Sequence, residues 1–479
     1  MSRGRLVVHG HFYQPSRIDP FSGRVPGDPS AAPAHDWTAR IDAECYRPNA
    51  ERGNLGHISW DLGPTLAAWL EGRDPVAYRG FVTGDRGING MAQSFHHSIL
   101  PLASAADRRT EIRWGLRDFE WRFGRRAVGM WLPECAVDLA TLRLLAEAGI
   151  EHTILAPWQA ATAHIESRRP YRVEIGAGRS IVVALYDGDL SGAVSFEPAA
   201  TADADRFVRE RVEPRFAVDP LPDDDPPFAL IATDGELYGH HQPFRELFLE
   251  RLVQPRPERG GRGFDVVPLA EVLAEPPGRP FPAIRIVERT SWSCHHGVLR
   301  WSGECPCATD GRWKAPLRSA LDRLAAAIDV MTSRIAATLP GSPDPWAARD
   351  AYVDVVIGAQ DAAGFAGRWL GGAVGSREPD GTGTPASATF LALMVIQRWR
   401  LAMFASDGWF WDDPARPETA AVLRAAARAA RAMDELAGTD LERRLVADLG
   451  LFASPGHHLD GAEIYRRALT AVGVAAEVE

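Results

Sequence analysis

Strand-like and helix-like runs alternate through residues 1–285, and this alternation constrains the fold more than any other feature of the chain. Arg5–Tyr13 (RLVVHGHFY) reads as a strand. Glu111–Gly124 reads as a helix, because Ile112, Leu116, Phe119 and Phe123 recur at helical spacing. A short strand is predicted over Val128–Leu132, then a helix over Leu139–Ala148, capped by Asp138 and ended by Gly149. His152–Ala156, Ile181–Tyr186, Phe228–Thr233 and Phe264–Leu269 are further strand-like runs, with a helix predicted over Phe244–Leu252 before the last of them. Strand–helix–strand order implies a parallel sheet with helices outside it, and a closed barrel is one solution. In such barrels the chemistry sits at the C-terminal ends of the strands.

After about residue 315 strand signals nearly vanish, and Pro316–Leu339, Trp346–Ile357, Pro385–Phe404, Glu418–Gly438 and Gly461–Val472 read as helices. The pattern predicts an α/β fold, with the strand–helix domain over 1–285 and a helical domain, including a junction motif, over 286–479. The balance of residues is ordinary for a globular protein of 479 residues, 46% hydrophobic and 24% charged. A net charge of −10 argues against nucleic acid or an anionic membrane surface as the partner. No apolar run reaches the ~20 residues that cross a bilayer, and no hydrophobic leader with a cleavage site is visible. Five cysteines, an odd count without disulfide-framework spacing, fit a reducing cytoplasm.

Two segments carry the chemistry: Gly129-Met130-Trp131-Leu132-Pro133-Glu134, and Ala232-Thr233-Asp234-Gly235-Glu236-Leu237-Tyr238-Gly239-His240-His241. In each, an apolar run stops at a carboxylate with aromatic or imidazole neighbours. Such a carboxylate is poorly placed for packing, and two of them can flank a glycosidic bond, one attacking the sugar and the other protonating the leaving oxygen. Glu134 alone also reads as a solvated carboxylate near a helix start; with Asp234 at a second strand end the catalytic reading is the better one. Gly235 between Asp234 and Glu236 permits close backbone approach, and spacing alone does not choose which of the two donates the proton.

Other clusters surround this pair. His9 and His11 share one face of a strand and lead into Tyr13 and Gln14; we read them as lining a site floor, ahead of metal ligation or core packing. His96 and His97 add a further imidazole pair. Cys294, His295, His296, Cys305 and Cys307 form a cysteine–histidine cluster, but C-x10-C-x-C is not one of the usual structural zinc spacings, and the cysteines read as reduced and structural. Ser406–Asp413 (SDGWFWDD) sets aromatics among acids after a helix, which suits sugar faces and hydroxyls.

Taken in order, these segments resemble glycoside hydrolase family 57 over nearly the whole chain. His11-Phe12-Tyr13-Gln14-Pro15 resembles the first motif, with Tyr13 replacing a second histidine. His97-Ser98-Ile99-Leu100-Pro101 resembles the second, and Trp131-Leu132-Pro133-Glu134 the third, whose glutamate is the nucleophile. Asp234-Gly235-Glu236-Leu237-Tyr238-Gly239-His240 resembles the fourth, whose aspartate is the general acid/base; Ser291-Trp292 resembles the fifth. Ser406-Asp407, followed after Gly408 by Trp409, resembles a substrate-binding segment of the family's helical region. The junction and Gly408-Trp409-Phe410 look like a little-characterised bacterial branch carrying a C-terminal domain of unknown function.

The resemblance implies a seven-stranded parallel β/α barrel followed by an all-α helical domain packed at the barrel mouth. It implies retaining hydrolysis or transfer at the α-glucosidic linkages of α-glucans, with Glu134 as nucleophile and Asp234 as acid/base. His11, His97 and His240 would hold sugar hydroxyls or orient the carboxylates, and Tyr13, Gln14, Trp131, Glu236, Trp292, Asp407 and Trp409 would contact substrate. No cofactor or catalytic metal is expected. One alternative is a metal-dependent polysaccharide deacetylase or mannosidase on a similar barrel, using His9, His11, Asp234 and a histidine of the 240–241 pair. The absence of a His-x-Asp or Asp-Asp motif at the first strand counts against it. The other is a non-catalytic glucan-binding protein, against which the intact carboxylate pair counts.

Overall fold

A computed structural model describes residues 4–162, 165–217, 221, 227–254, 263–274, 280–371 and 384–471. Contacts divide the chain into two compact units. The first takes in 1–14, 27–94 and 122–295, and the second 15–26, 95–121 and 296–479.

The first unit holds strands β1 (Gly4–Phe12), β2 (Ser59–Leu62), β3 (Gly90–Gln93), β4 (Met130–Trp131), β5 (His152–Leu155), β6 (Tyr171–Gly176), β7 (Arg179–Leu185), β8 (Phe228–Asp234), β9 (Phe264–Val266) and β10 (Ala283–Ile284). One sheet runs β4-β3-β2-β1-β8, with β9 also paired to β1, and every pairing in it is parallel. A second sheet runs β10-β6-β7-β5. A parallel bridge joins Gly129 to His152, between β4 and β5. Past the end of β7, the Asp187 amide donates to the Leu230 carbonyl of β8 at 2.8 Å. The antiparallel β6–β7 pair is an element that the strand–helix alternation did not suggest; its turn runs through Gly176 and Gly178, both at positive φ.

Strand β1 is buried almost end to end, as expected of a parallel strand covered on both faces. Side chains alternate between two cores. Leu6 and Val8 join Trp60, Leu62 and Phe81 on one side. Val7 joins Met91, Trp131, Ile154, Ala184, Leu230 and Ala232 on the other. The second set fixes where polar residues emerge. Continuing by twos from Val7 gives His9 and His11, and from Leu230 and Ala232 gives Asp234. Asp61 alternates with Trp60 and Leu62, and Gln93 follows Met91 by two. One buried face of the sheet thus turns polar at the C-terminal ends of its strands.

The second unit contains most of the helix Ala105–Phe123 and the helices Lys314–Ala336, Pro345–Ala351, Val353–Val356, Ala362–Trp369, Pro385–Ala402, Pro417–Ala437, Leu441–Leu449 and Gly461–Thr470. The predicted helix over 346–357 is broken in two at Tyr352, and Val472, the last residue of the final predicted helix, lies outside the described residues. Pro417–Ala437 buries Val422, Ala426, Ala430 and Met433; its alanines admit close neighbours, and Gly438 ends it at φ 62°. Buried charges here are chained: Arg349 and Arg400 both reach Asp107, at 2.9 and 2.6 Å, and Arg400 also reaches Asp329 at 2.7 Å. No helix among the described residues is long and apolar enough to cross a membrane.

Candidate active site

Parallel register assembles the strand ends. His11 lies opposite Asp234 of β8 on one side and Asp61 of β2 on the other. Gln93 of β3 lies opposite Trp131 of β4. Asp61 is fully buried and binds this row together. One oxygen meets His9 Nε2 at 3.0 Å, and the other meets His11 Nδ1 at 2.8 Å and accepts from Gln93 Nε2 at 2.7 Å. The Trp131 ring stacks on both imidazoles, at centroid distances of 5.1 and 4.9 Å, and meets Trp292 edge-on at 4.9 Å.

Burial disfavours charge on His11. The Asp61 charge, the hydrogen bond to that carboxylate, and the charges of Asp234 and Glu236 outweigh it and lift the imidazole to about 9. His9, buried deeper against the same carboxylate, is held below its ordinary value by desolvation. Near neutral pH one histidine is therefore a cation at the strand ends, and the other is neutral.

Glu134 follows β4 in a left-handed conformation, φ 58° and ψ 22°, with Cys135 also at positive φ. For a non-glycine residue this stores strain on the order of 1–3 kcal/mol, and neighbouring bonds hold it. The Trp292 amide donates to the Glu134 carbonyl at 2.9 Å, and Val137 and Thr290 form an antiparallel bridge. The carboxylate accepts from Ser293 Oγ at 2.6 Å and from Trp292 Nε1 at 3.2 Å. Burial raises its pKa and the charge of Asp234 raises it further, while the Ser293 hydrogen bond and the charge of His11 act the other way. Asp234 is thus near enough for its charge to act on Glu134.

Asp234 ends β8 and is exposed. Gly235 follows because nothing larger fits. A Cβ there would stand 2.3 Å from the Phe12 ring. The turn delivers Glu236 into a buried position, where it accepts from the Tyr46 hydroxyl at 2.6 Å and the Tyr13 amide at 3.3 Å. Burial and the charge of Asp234 push Glu236 up to about 7, against the Tyr46 hydrogen bond and His11. Gln14 lies beside this corner, its carbonyl accepting from Thr65 Oγ1 at 2.6 Å. His240 pairs with Glu44 and meets the Trp37 ring edge-on.

The remaining expected contacts belong to the second unit. His97, at φ 55°, shares a 2.7 Å hydrogen bond with Ser406 Oγ, and the Ser406 amide donates back to its carbonyl. Asp407 is half-buried. Trp409 is not the exposed ring anticipated for a sugar face. It is wholly buried, its N–H donating to the Lys314 carbonyl at 3.3 Å and the Arg318 guanidinium lying 4.6 Å over its ring. Sequence reasoning missed Asp61, Gln93, Tyr46 and Ser293. Ser293 was within reach as the neighbour of Trp292; Asp61 was signalled only by a carboxylate at an alternating position in Ser59–Leu62.

Residues 87–277 match the profile of Glycosyl hydrolase family 57, and residues 310–477 match a domain of unknown function. Residues 87–277 are thus similar to glycosyl hydrolase family 57. An α-amylase of Pyrococcus horikoshii is 29% identical over 221 residues, 44% of this chain and 33% of that protein. A 4-α-glucanotransferase of Thermococcus litoralis is 28% identical over 153 residues, 31% of this chain and 21% of that protein. The chain therefore aligns with only a third or less of each of these relatives. An exo-type maltose-forming amylase from Pyrococcus sp. ST04 shares the fold with a TM-score of 0.73 at 16% identity, over 97% of this chain and 88% of that one.

Proposed function

We propose that this protein is a retaining glycosidase or transglycosidase acting on the α-glucosidic linkages of α-glucans. The observation that carries the reading is Glu134, strained and hydrogen-bonded by Ser293 and Trp292, within electrostatic reach of Asp234 at the end of β8. The relatives named as an α-amylase and a 4-α-glucanotransferase support the substrate class.

In this reading the Glu134 carboxylate attacks the anomeric carbon while protonated Asp234 gives its proton to the departing glycosidic oxygen. The C–O bond breaks and a glycosyl-enzyme forms. Asp234 then takes a proton from water or a sugar hydroxyl, which displaces Glu134 with a second inversion. Cationic His11 steadies the carboxylates through both steps. Trp292, half-buried, offers ring surface to a sugar, while Trp131 is wholly buried and backs Trp292 and the two imidazoles; Tyr13, Gln14, Glu236 and His240 line the same end of the sheet. His97 and Asp407 are further substrate contacts in this proposal; Trp409 is not.

We also read the parallel strands as a seven-stranded barrel in the order β8-β1-β2-β3-β4-β5-β7, a reading supported by the Gly129–His152 bridge and the Asp187–Leu230 hydrogen bond. The second unit is read as an all-α domain, and the location as cytoplasmic, in keeping with five cysteines none of which is in a disulfide. Incubation with maltooligosaccharides and amylose, with products resolved by length and linkage, tests the proposal. Glu134→Gln should reduce turnover to background. Asp234→Asn should lose roughly 10²–10⁴-fold, the usual worth of a positioned acid/base. Ordinary turnover in either variant overturns the assignment.

A further inference from the structure

Cys294, His296, Cys305 and Cys307 each offer one ligand atom, and these atoms all lie within 4.8 Å of one another. They sit on one continuous stretch of chain, residues 294–307, as two pairs with a single residue between the members of each. His296 Nδ1 is 3.2 Å from Cys307 Sγ and 3.7 Å from Cys305 Sγ. In a tetrahedral zinc site, with Zn–S about 2.3 Å and Zn–N about 2.0–2.1 Å, neighbouring ligand atoms stand roughly 3.5–3.8 Å apart. The 3.7 Å separation falls in that range and the 3.2 Å separation lies just below it.

We propose that this cluster is a structural Zn²⁺ site with a Cys₃His ligand set. Three thiolates and one imidazole, with no carboxylate among them, suit zinc and not the hard cations calcium or magnesium. Four protein ligands fill a tetrahedral shell and leave no position for substrate, which marks a structural site. Local geometry explains why the spacing conceals it. The cysteines alone read C-x10-C-x-C, and the fourth ligand is a histidine between the first two cysteines. Gly297, at φ 66°, turns the chain directly after His296 into the short helical turn Gly297–Trp301 that leads to the second pair. The adjacent His295 is turned elsewhere, its ring 5.0 Å from that of Trp158. Cys294 and Cys305 are buried, while His296 and Cys307 are exposed, so an ion has a route in from solvent.

The site also has a structural consequence. Cys294 follows Ser293, whose hydroxyl holds the Glu134 carboxylate. An ion gripping 294–307 fixes the end of the segment that positions that carboxylate.

Elemental analysis of the full chain, purified without chelator and reconstituted with Zn²⁺, tests the assignment independently of any glucan turnover. About one zinc per chain is expected, lost in His296→Ala and in the Cys305→Ser/Cys307→Ser double variant and kept in His295→Ala. Cobalt substitution of the unaltered protein keeps the test decisive if a variant fails to fold. Thiolate-to-cobalt charge-transfer bands with tetrahedral d–d absorption are expected. Folded protein that holds no zinc after reconstitution, retention of zinc by His296→Ala, or an octahedral cobalt spectrum overturns the proposal.

Discussion

At the scale of single residues, the site is organised by hydrogen bonds to carboxylates whose ionisation matters. Ser293 and Trp292 both favour the ionised form of Glu134, against burial and the charge of Asp234. Ser293→Ala therefore raises the Glu134 pKa further. In the proposed reaction the attacking form is the anion, so the acid limb of the kcat/KM–pH profile should move to higher pH. A hydrogen bond to a charged group contributes about 1.5–3 kcal/mol. Ser293 is exposed and Trp292 remains, so a shift of roughly half to one pH unit is expected, at 1.36 kcal/mol per unit. An unmoved limb would show that Glu134 does not titrate in catalysis. The His11–Asp61 pair sets a stability window by the same logic. The raised histidine contributes stability present below its unfolded value near 6.5 and lost as pH rises through about 9. Asp61, lowered chiefly by the charge of His11 against the cost of burial, contributes stability that is lost as pH falls through its depressed pKa.

At the scale of elements, much of the site was legible because strands alternate. His9 and His11 on one face, and carboxylates closing Val128–Leu132 and Phe228–Thr233, follow from period-two patterning and from where apolar runs stop. Asp61 escaped because a carboxylate between Trp60 and Leu62 in a four-residue strand looks like a solvent-facing position; only the register with β1 shows it facing two histidines. Tyr46 escaped because it lies in a helical segment 190 residues before its partner Glu236. Trp409 was misplaced because a sequence shows that aromatics and acids are neighbours and not which of them a helix buries. The turn after β8 gives a test at this scale. Gly235→Ala drives a methyl into the Phe12 ring at 2.3 Å. Overpacking of this kind costs about 1–3 kcal/mol, and it displaces Asp234 and Glu236 together. A lower melting temperature with a fall in kcat is expected, partly restored by Phe12→Leu in the double variant. Unchanged values in Gly235→Ala would show that the turn has room which the packing denies.

At the scale of the whole molecule, Glu134 and Asp234, the proposed catalytic carboxylates, and the Asp61 network lie in the first unit, while His97, Asp407 and Trp409 lie in the second. Trp409 supports its own unit. Trp409→Ala removes a fully buried ring and leaves the Lys314 carbonyl without that donor. Such truncations cost about 3–5 kcal/mol, so melting should fall and activity on short and long glucans should decline alike. A rise in KM confined to long glucans, with melting unchanged, would instead restore the ring to the substrate. The central claim is that two carboxylates of the first unit cleave an α-glucosidic bond by double displacement. Proton NMR of a freshly started reaction on a maltooligosaccharide, read before mutarotation, tests it most directly. The account predicts that the first reducing ends to appear are α-anomers; first-formed β-anomers would contradict it.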